Sequence, residues 1–186
     1  MQKKLKDIAE IKFCILERGN DKEYLLTPAN LLEDNQISNI EIDDKFKKDE
    51  KVIIRKNDII IKRINPIYVN LINEVNKKVY AGNNLIIIRA KKVNPKYLAA
   101  ILNSNIREFS RRNSIGAIIP SIGRKELENF EIELCNKEKQ TLIGEYWIKT
   151  VEKRILEYKK IELEKQKTNT VINNFLENRR ILKWQI

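Results

Sequence analysis

All four prolines lie at or before Pro120, and the last of the five glycines is Gly144. The 42 residues from Glu145 to Ile186 therefore hold no helix breaker. That stretch is rich in Lys, Glu, Leu and Ile, the composition of one long helix. At about 1.5 Å per residue it would reach roughly 60 Å. Ordinary globular helices are about half as long or shorter. A helix of that length needs a partner or serves as a spacer. The turns and breakers are confined to the part before it, which predicts a globular head followed by a rod.

The charge balance narrows the partner. The chain carries 37 basic and 26 acidic residues, a net charge of +11 and a pI of about 9.6. Residues 1–136 hold 25 basic and 19 acidic groups and residues 137–186 hold 12 and 7, so the excess is not confined to a tail. Such an excess points first to nucleic acid and second to an anionic surface. No apolar stretch approaches 18 residues, so no membrane span is expected, and the opening MQKKLKDIAE lacks the apolar run of a signal peptide. Cys14 and Cys135 are far apart without metal spacing, which suits a reducing, cytoplasmic location. There is no histidine, so the commonest general base and zinc ligand is absent and Ser-His-Asp or Cys-His triads cannot form within the chain.

Along the chain, Leu5–Phe13 reads as a short opening strand or turn and Lys22–Leu26 as a strand. Thr27-Pro28-Ala29-Asn30 reads as a turn. Lys51–Arg55 and Asp58–Arg63 are runs rich in β-branched residues, split by the turn-like Lys56-Asn57. Ile67–Ile72 is a third such run, and Gly82-Asn83-Asn84 a turn before the apolar strand Leu85–Ile88. Asn94-Pro95 predicts a helix start, with the asparagine as cap and the proline in the first turn; Tyr97, Leu98, Ile101 and Leu102 follow at helical spacing. Arg107–Arg112 is basic and polar, and Ser114–Gly123 a loop of small residues. Arg124–Asn129 predicts one helical turn, and Phe130–Leu134 alternates as a strand does. The fold class expected is α+β with a mostly antiparallel sheet and short helices, in a domain over 1–136, followed by a helix over 137–186. In that helix Ile148, Val151, Ile155 and Tyr158 follow a 3-4-3 spacing. The same register passes Glu162, Lys165 and Asn169 and returns to Ile172 and Leu176, a seam apolar at both ends and polar between. Tyr146 and Trp147 fit an anchor of the helix on the head or a partner.

The candidate site residues are cationic and amide side chains near element ends. Arg107, Arg111, Arg112, Asn113 and Ser114 form the densest group. Arginine can grip phosphate, or guanine O6 and N7, through two parallel hydrogen bonds, and asparagine can read adenine similarly. Gly116 would let the backbone approach a duplex. Lys62, Arg63 and Asn65 follow an apolar strand and precede Pro66, a position for anchoring phosphates, and Arg18 is a weaker candidate in an early loop. Aromatic residues do not interleave with these groups, which disfavours single-stranded binding. Two enzyme-like patterns fail. Asn65-Pro66-Ile67-Tyr68 resembles the Asn-Pro-Pro-Tyr motif of adenine methyltransferases, but such an enzyme needs a cofactor domain with a glycine-rich loop, and the five glycines are scattered. Asp58 with Lys62, and Glu157 with Lys159, are pairs that a chain with 34% charged residues produces by chance.

Several segments in order resemble the specificity subunit of type I restriction–modification systems. Lys4-Leu5-Lys6-Asp7-Ile8-Ala9-Glu10-Ile11 is similar to the opening of its target-recognition domains, and Asn57-Asp58-Ile59-Ile60-Ile61 to their central strand. Ala81-Gly82-Asn83-Asn84-Leu85, Pro95-Lys96-Tyr97-Leu98 and Leu102-Asn103-Ser104 resemble the later strand and helix. Ser114-Ile115-Gly116, Ile119, Leu127 and Phe130–Leu134 resemble the approach to the spacer helix, and Gln140-Thr141-Leu142-Ile143 its start. The usual subunit carries two recognition domains and two spacer helices, and this chain has one of each. The proline usual before the spacer helix is absent, with Cys135 near its place. A glutamine usual after the loop glycine is not at Ala117 or Ile118, so the resemblance does not assign the base-reading residues. What it implies is a half-subunit without catalysis or cofactor of its own. Two copies would pair their helices as an antiparallel coiled coil through Ile148, Val151, Ile155, Tyr158, Ile172 and Leu176. The homodimer would read a two-part palindrome in double-stranded DNA. A DNA adenine methyltransferase subunit, and any restriction subunit, would dock on it and bring S-adenosylmethionine and magnesium. The alternative is a decoy that occupies the methyltransferase through its helix without binding DNA.

Overall fold

The computed structural model describes residues 1–113 and 121–183, and their side chains except at 44, 113 and 177–183. The strands are β1 (Gln2–Lys4), β2 (Ala9–Phe13), β3 (Arg18–Leu26), β4 (Glu41–Phe46), β5 (Asp58–Lys62), β6 (Val69–Leu71), β7 (Val79–Ala81), β8 (Leu85–Ala90) and β9 (Glu131–Glu133). The helices are α1 (Leu5–Ile8), α2 (Pro95–Asn113), α3 (Arg124–Glu128) and α4 (Lys137–Lys183), with a 3-10 turn at Glu50–Val52. The chain is thus α+β, as expected, with a long C-terminal helix. It divides into two compact units, Met1–Ile148 and Lys149–Ile186. The helix begins at Lys137, where the sequence predicted, and its residues through Ile148 belong to the first unit.

The first unit is built on the antiparallel sheet β2-β8-β5-β6. Its two central strands carry the isoleucine runs, and alternation sends their side chains to opposite faces. Ile59, Ile61, Ile86 and Ile88 enter one hydrophobic cluster, while Ile60, Leu85 and Ile87 enter another. Burial on both faces explains why these strands are continuously apolar rather than alternating. Each such side chain contributes roughly 1.5–3 kcal/mol. Asn57 and Asn84, with φ of 67° and 63°, make the left-handed turns that start β5 and β8. The first cluster is covered by α2 through Tyr97, Leu98, Leu102 and Ile106. The second is closed by the sheet β4-β3-β7, through Leu26, Phe46 and Tyr80. There β3 pairs antiparallel with β4 and parallel with β7. Strand β1 pairs with β9, so the start of the chain is tied to the approach to α4.

Asn94 caps α2 as predicted, its Oδ1 accepting from the Lys96 and Tyr97 amides at 2.9 and 3.3 Å. The Asn94 amide donates to Gln140 Oε1 at 3.0 Å, and Gln140 Nε2 donates to the Cys135 carbonyl at 2.8 Å. Gly144 lets the start of α4 meet the start of α2. A Cβ there would lie 2.7 Å from Lys96 Cβ and 2.8 Å from the Tyr97 amide nitrogen. A glycine inside an otherwise breaker-free helix thus has a packing reason.

Several local expectations need correction. Leu5–Phe13 is not one strand; a helical turn, α1, precedes β2 because Leu5 and Ile8 are both buried. Lys51–Arg55 is not a strand. Asp49 caps the 3-10 turn by accepting from the Lys51 amide at 2.9 Å, and only a single bridge joins Ile53 to Tyr80. Arg107–Arg112 is the last part of α2 rather than a stretch beyond it. Most of the loop expected over Ser114–Gly123 lies outside the described residues. Strands β1, β4 and β7 were not anticipated.

The expected seam residues divide in the same way. Ile148 is buried in the first cluster, which takes it out of the expected seam, and Val151 is 3% exposed. Ile155 is half-buried, and Tyr158, Ile172 and Leu176 are exposed. Trp147 packs on the first cluster, which fits an anchor, while Tyr146 is exposed. No helix among the described residues is long and apolar enough to cross a membrane.

Candidate nucleic-acid interface

The last turns of α2 and the link from β5 to β6 form one cationic groove. On α2, Ile106 faces the core. Arg107, Ser110 and Arg111 follow at spacings of three and four, which puts them on one side of the helix. Opposite them runs Asn65-Pro66-Ile67-Tyr68, with a cis bond between Asn65 and Pro66. These residues and Glu33 line a groove of about 320 Å³.

Arg107 is oriented by three contacts. Its Nε–H donates to the Ile67 carbonyl at 3.1 Å, its Nη2 to Glu33 Oε1 at 2.9 Å, and its guanidinium lies 5.7 Å from the Tyr68 ring centre. Lys62 Nζ lies 5.4 Å from the same ring. Two cations therefore share one aromatic face-bearing side chain, a contact worth about 0.5–1 kcal/mol each at exposed sites. Ser110 is buried, and its hydroxyl has no hydrogen-bond partner among the described residues.

The sequence-predicted residues do not all converge. Asn65, Arg107 and Arg111 line the groove, and Lys62 joins it through Tyr68. Arg63 is half-buried and faces elsewhere. Its Nε–H donates to the Ile122 carbonyl at 3.1 Å and its guanidinium lies 5.7 Å from the Phe13 ring centre. It braces the return of the chain after residue 120. Arg124 lies over the same ring at 4.5 Å. Arg112 is exposed and pairs with Glu108 one turn back. Arg18 opens β3 in the other sheet and is not part of the groove. Asn113 ends α2, while Ser114 and Gly116 lie outside the described residues. Sequence reasoning missed Glu33, Tyr68 and Ser110. The signal for Tyr68 was present: it lies in the β-branched run Ile67–Ile72, two residues after Pro66.

The loop that carries Glu33 is held by asparagines. Asn35 takes the Leu71 amide on its Oδ1 and donates from Nδ2 to the Leu71 carbonyl at 3.3 Å, as a neighbouring strand would. Buried Asn70 donates from Nδ2 to the Leu32 and Gln36 carbonyls at 3.2 and 2.9 Å. Asp34 and Asn35 have φ of 53° and 57°, the left-handed turn that such residues tolerate.

No cluster of three or more potential metal ligands occurs among the described residues. Asp58, considered above beside Lys62, is instead bonded to Arg89. Burial pushes the Cys14 thiol up to about 12, which makes it inert. Burial also raises Tyr97 to about 12.

Residues 1–171 match the model of the type I restriction modification DNA specificity domain. The chain belongs to that family, a class of DNA-recognition module rather than an enzyme. Three solved structures share the fold. One is a chain from a study of complex assembly and conformational transition of the type I R-M system, at 16% identity and a TM-score of 0.62 over 88% of this chain and 41% of that one. The second is the HsdS subunit from Thermoanaerobacter tengcongensis, at 16% identity and a TM-score of 0.53 over 86% and 39%. The third is the S subunit of a type I restriction-modification system from M. genitalium, at 17% and 0.54 over 78% and 37%. The chain spans about two fifths of the length of each of these. At such identities the likeness concerns the fold. No curated protein sequence matches the chain.

Proposed function

We propose that this chain is a specificity half-subunit that reads one half-site of double-stranded DNA. The observation that carries the reading is the convergence of Asn65, Arg107 and Arg111 with Tyr68 in one groove, in a head whose family recognises DNA. Residues 1–136 are the reader and residues 137–186 the spacer. Lys62 and Arg111 grip phosphates, and Arg107 reaches base edges. Asn113, Ser114 and Gly116 are kept as DNA-contact candidates on their residue types alone. Arg63 and Arg112 act locally, and Arg18 sits apart.

Two copies pair through α4. The seam proposed runs Tyr158, Ile161, Lys165, Thr168, Ile172 and Phe175 at 3-4 spacing, with Leu176 alongside. It is supported by the exposure of Tyr158, Ile161, Ile172, Phe175 and Leu176. It starts beyond Ile148, which is buried in the head, and beyond Val151. The polar middle fixes register and favours an antiparallel partner. The dimer recruits an adenine methyltransferase in the cytoplasm; S-adenosylmethionine and magnesium belong to the partners.

The test is selection of random-sequence duplexes by the full chain, with light scattering on the same sample. A dimer that enriches a two-part palindrome with a fixed gap is expected. A monomer, or a dimer that enriches nothing, would refute the proposal. A dimer that binds the methyltransferase subunit yet enriches no sequence would instead establish the decoy.

A further inference from the structure

The groove holds an acidic residue that a surface built only to grip phosphate would lack. Glu33 stands among the cations and its side chain is 60% exposed. A carboxylate there repels the backbone of any duplex and weakens unspecific binding. Its position is nonetheless secured. Asn35 and Asn70 bind the chain on both sides of it, through Leu71, Leu32 and Gln36.

The carboxylate is coupled to a preset donor. Glu33 Oε1 and Arg107 Nη2 are 2.9 Å apart. Arg107 spends its Nε–H on Ile67 and one Nη2 hydrogen on Glu33, which leaves three of its five N–H groups, and its guanidinium is held near the Tyr68 ring. The groove thus presents a cationic fork beside an acceptor. The Ser110 hydroxyl, buried and without a partner among the described residues, lines the same groove.

In the major groove a G·C pair shows the complement. Guanine offers N7 and O6 as neighbouring acceptors, and the cytosine N4 amino group follows as a donor. An A·T pair shows acceptor, donor and acceptor in turn, so a two-pronged donor meets an amino group. We infer that Glu33 and Arg107 together read one G·C base pair, Arg107 donating to guanine O6 and N7 and Glu33 accepting from cytosine N4. This rests on the proposal that the head reads duplex DNA, and makes Glu33 a specificity-determining residue.

The experiment compares the full chain with Glu33→Ala, Glu33→Gln and Arg107→Lys on one random-sequence duplex library, followed by titration of defined duplexes. The native chain should enrich a half-site with an invariant G·C pair. Glu33→Ala should lower the preference for that pair over its alternatives by about 5- to 150-fold, since a good base contact discriminates by that much. Other positions should keep their preferences, and binding to unrelated duplex should hold or rise as a negative charge is lost. Arg107→Lys should relax the same position. A Glu33→Ala profile identical to the native one would overturn the inference. So would an equal loss at every position, which would make Glu33 only a brace for Arg107. A native half-site lacking an invariant G·C pair would overturn it too, and a native profile with no enrichment would overturn the DNA-reading proposal beneath it.

Discussion

Replacing Asp58 with alanine should unfold the head more readily than any single change in the groove. Asp58 is 2% exposed and sits directly opposite Arg89 across β5 and β8. Its Oδ1 accepts from Arg89 Nε at 2.8 Å, and its Oδ2 accepts from Arg89 Nη2 at 3.1 Å and from the Arg55 amide at 2.8 Å. Truncation removes all three bonds and leaves the guanidinium, 14% exposed, with the Ile53 carbonyl and the charge of Glu10, its partner across β2 and β8. Breaking a buried pair from one side costs about 3–5 kcal/mol. The residual exposure lets water reach Arg89, which sets the expectation at the lower end, about 3 kcal/mol. Urea unfolding at pH 7, followed by Trp147 emission in a Trp184→Phe background, measures it. The double variant Asp58→Ala/Arg89→Met should be less destabilised than Asp58→Ala alone, because no unpaired charge remains. A loss below about 1 kcal/mol for Asp58→Ala, or costs that simply add in the double variant, would refute the reasoning.

Phe175→Asp and Ile161→Asp should each convert the dimer to monomer in light scattering with the thermal midpoint of the head unchanged; an intact dimer would mean the seam lies elsewhere. Ile148→Asp should instead destabilise the head, since that residue is buried in its core. Iodoacetamide at pH 8 should label half-exposed Cys135 and spare buried Cys14 until the chain unfolds, and equal labelling would contradict the burial of Cys14. The Cys14 thiol is raised from its ordinary 9.0 to about 12, so its contribution to stability is intact below pH 9.0 and fades as pH climbs towards 12. Cys14→Ala should flatten that alkaline loss, though Tyr97, raised from 10.0 to about 12, keeps part of it.

What the sequence disclosed, and what it concealed, follows from how local each determinant is. β5, β8, α2 and α4 were legible because continuous apolar runs, an Asn-Pro cap and a breaker-free stretch act within a few residues. β4 reads Glu-Ile-Asp-Asp-Lys-Phe and has no strand-like pattern; it exists because β3 offers a partner. β1 and β9 find each other across most of the chain, which no window can show. In the groove, Arg107 and Arg111 were found by charge, while their place on one side of α2 was not. Glu33 was not, because nothing around Leu31–Asn35 hints that Asn70, far along the chain, binds the carbonyls beside it. Arg63 and Arg112 share the charge of the others, yet the fold engages them with Ile122 and Glu108. Composition counts cations and does not reveal which of them face outward together.

The salt dependence of duplex binding tests the central claim most directly. With the selected half-site and the full chain, the logarithm of the binding constant should fall linearly with the logarithm of salt concentration, by about 0.9 for every phosphate neutralised. Removing Lys62 and Arg111 together should reduce that slope by roughly 2. A binding constant indifferent to salt, or a slope unchanged without those two cations, would contradict a DNA reader built around this groove.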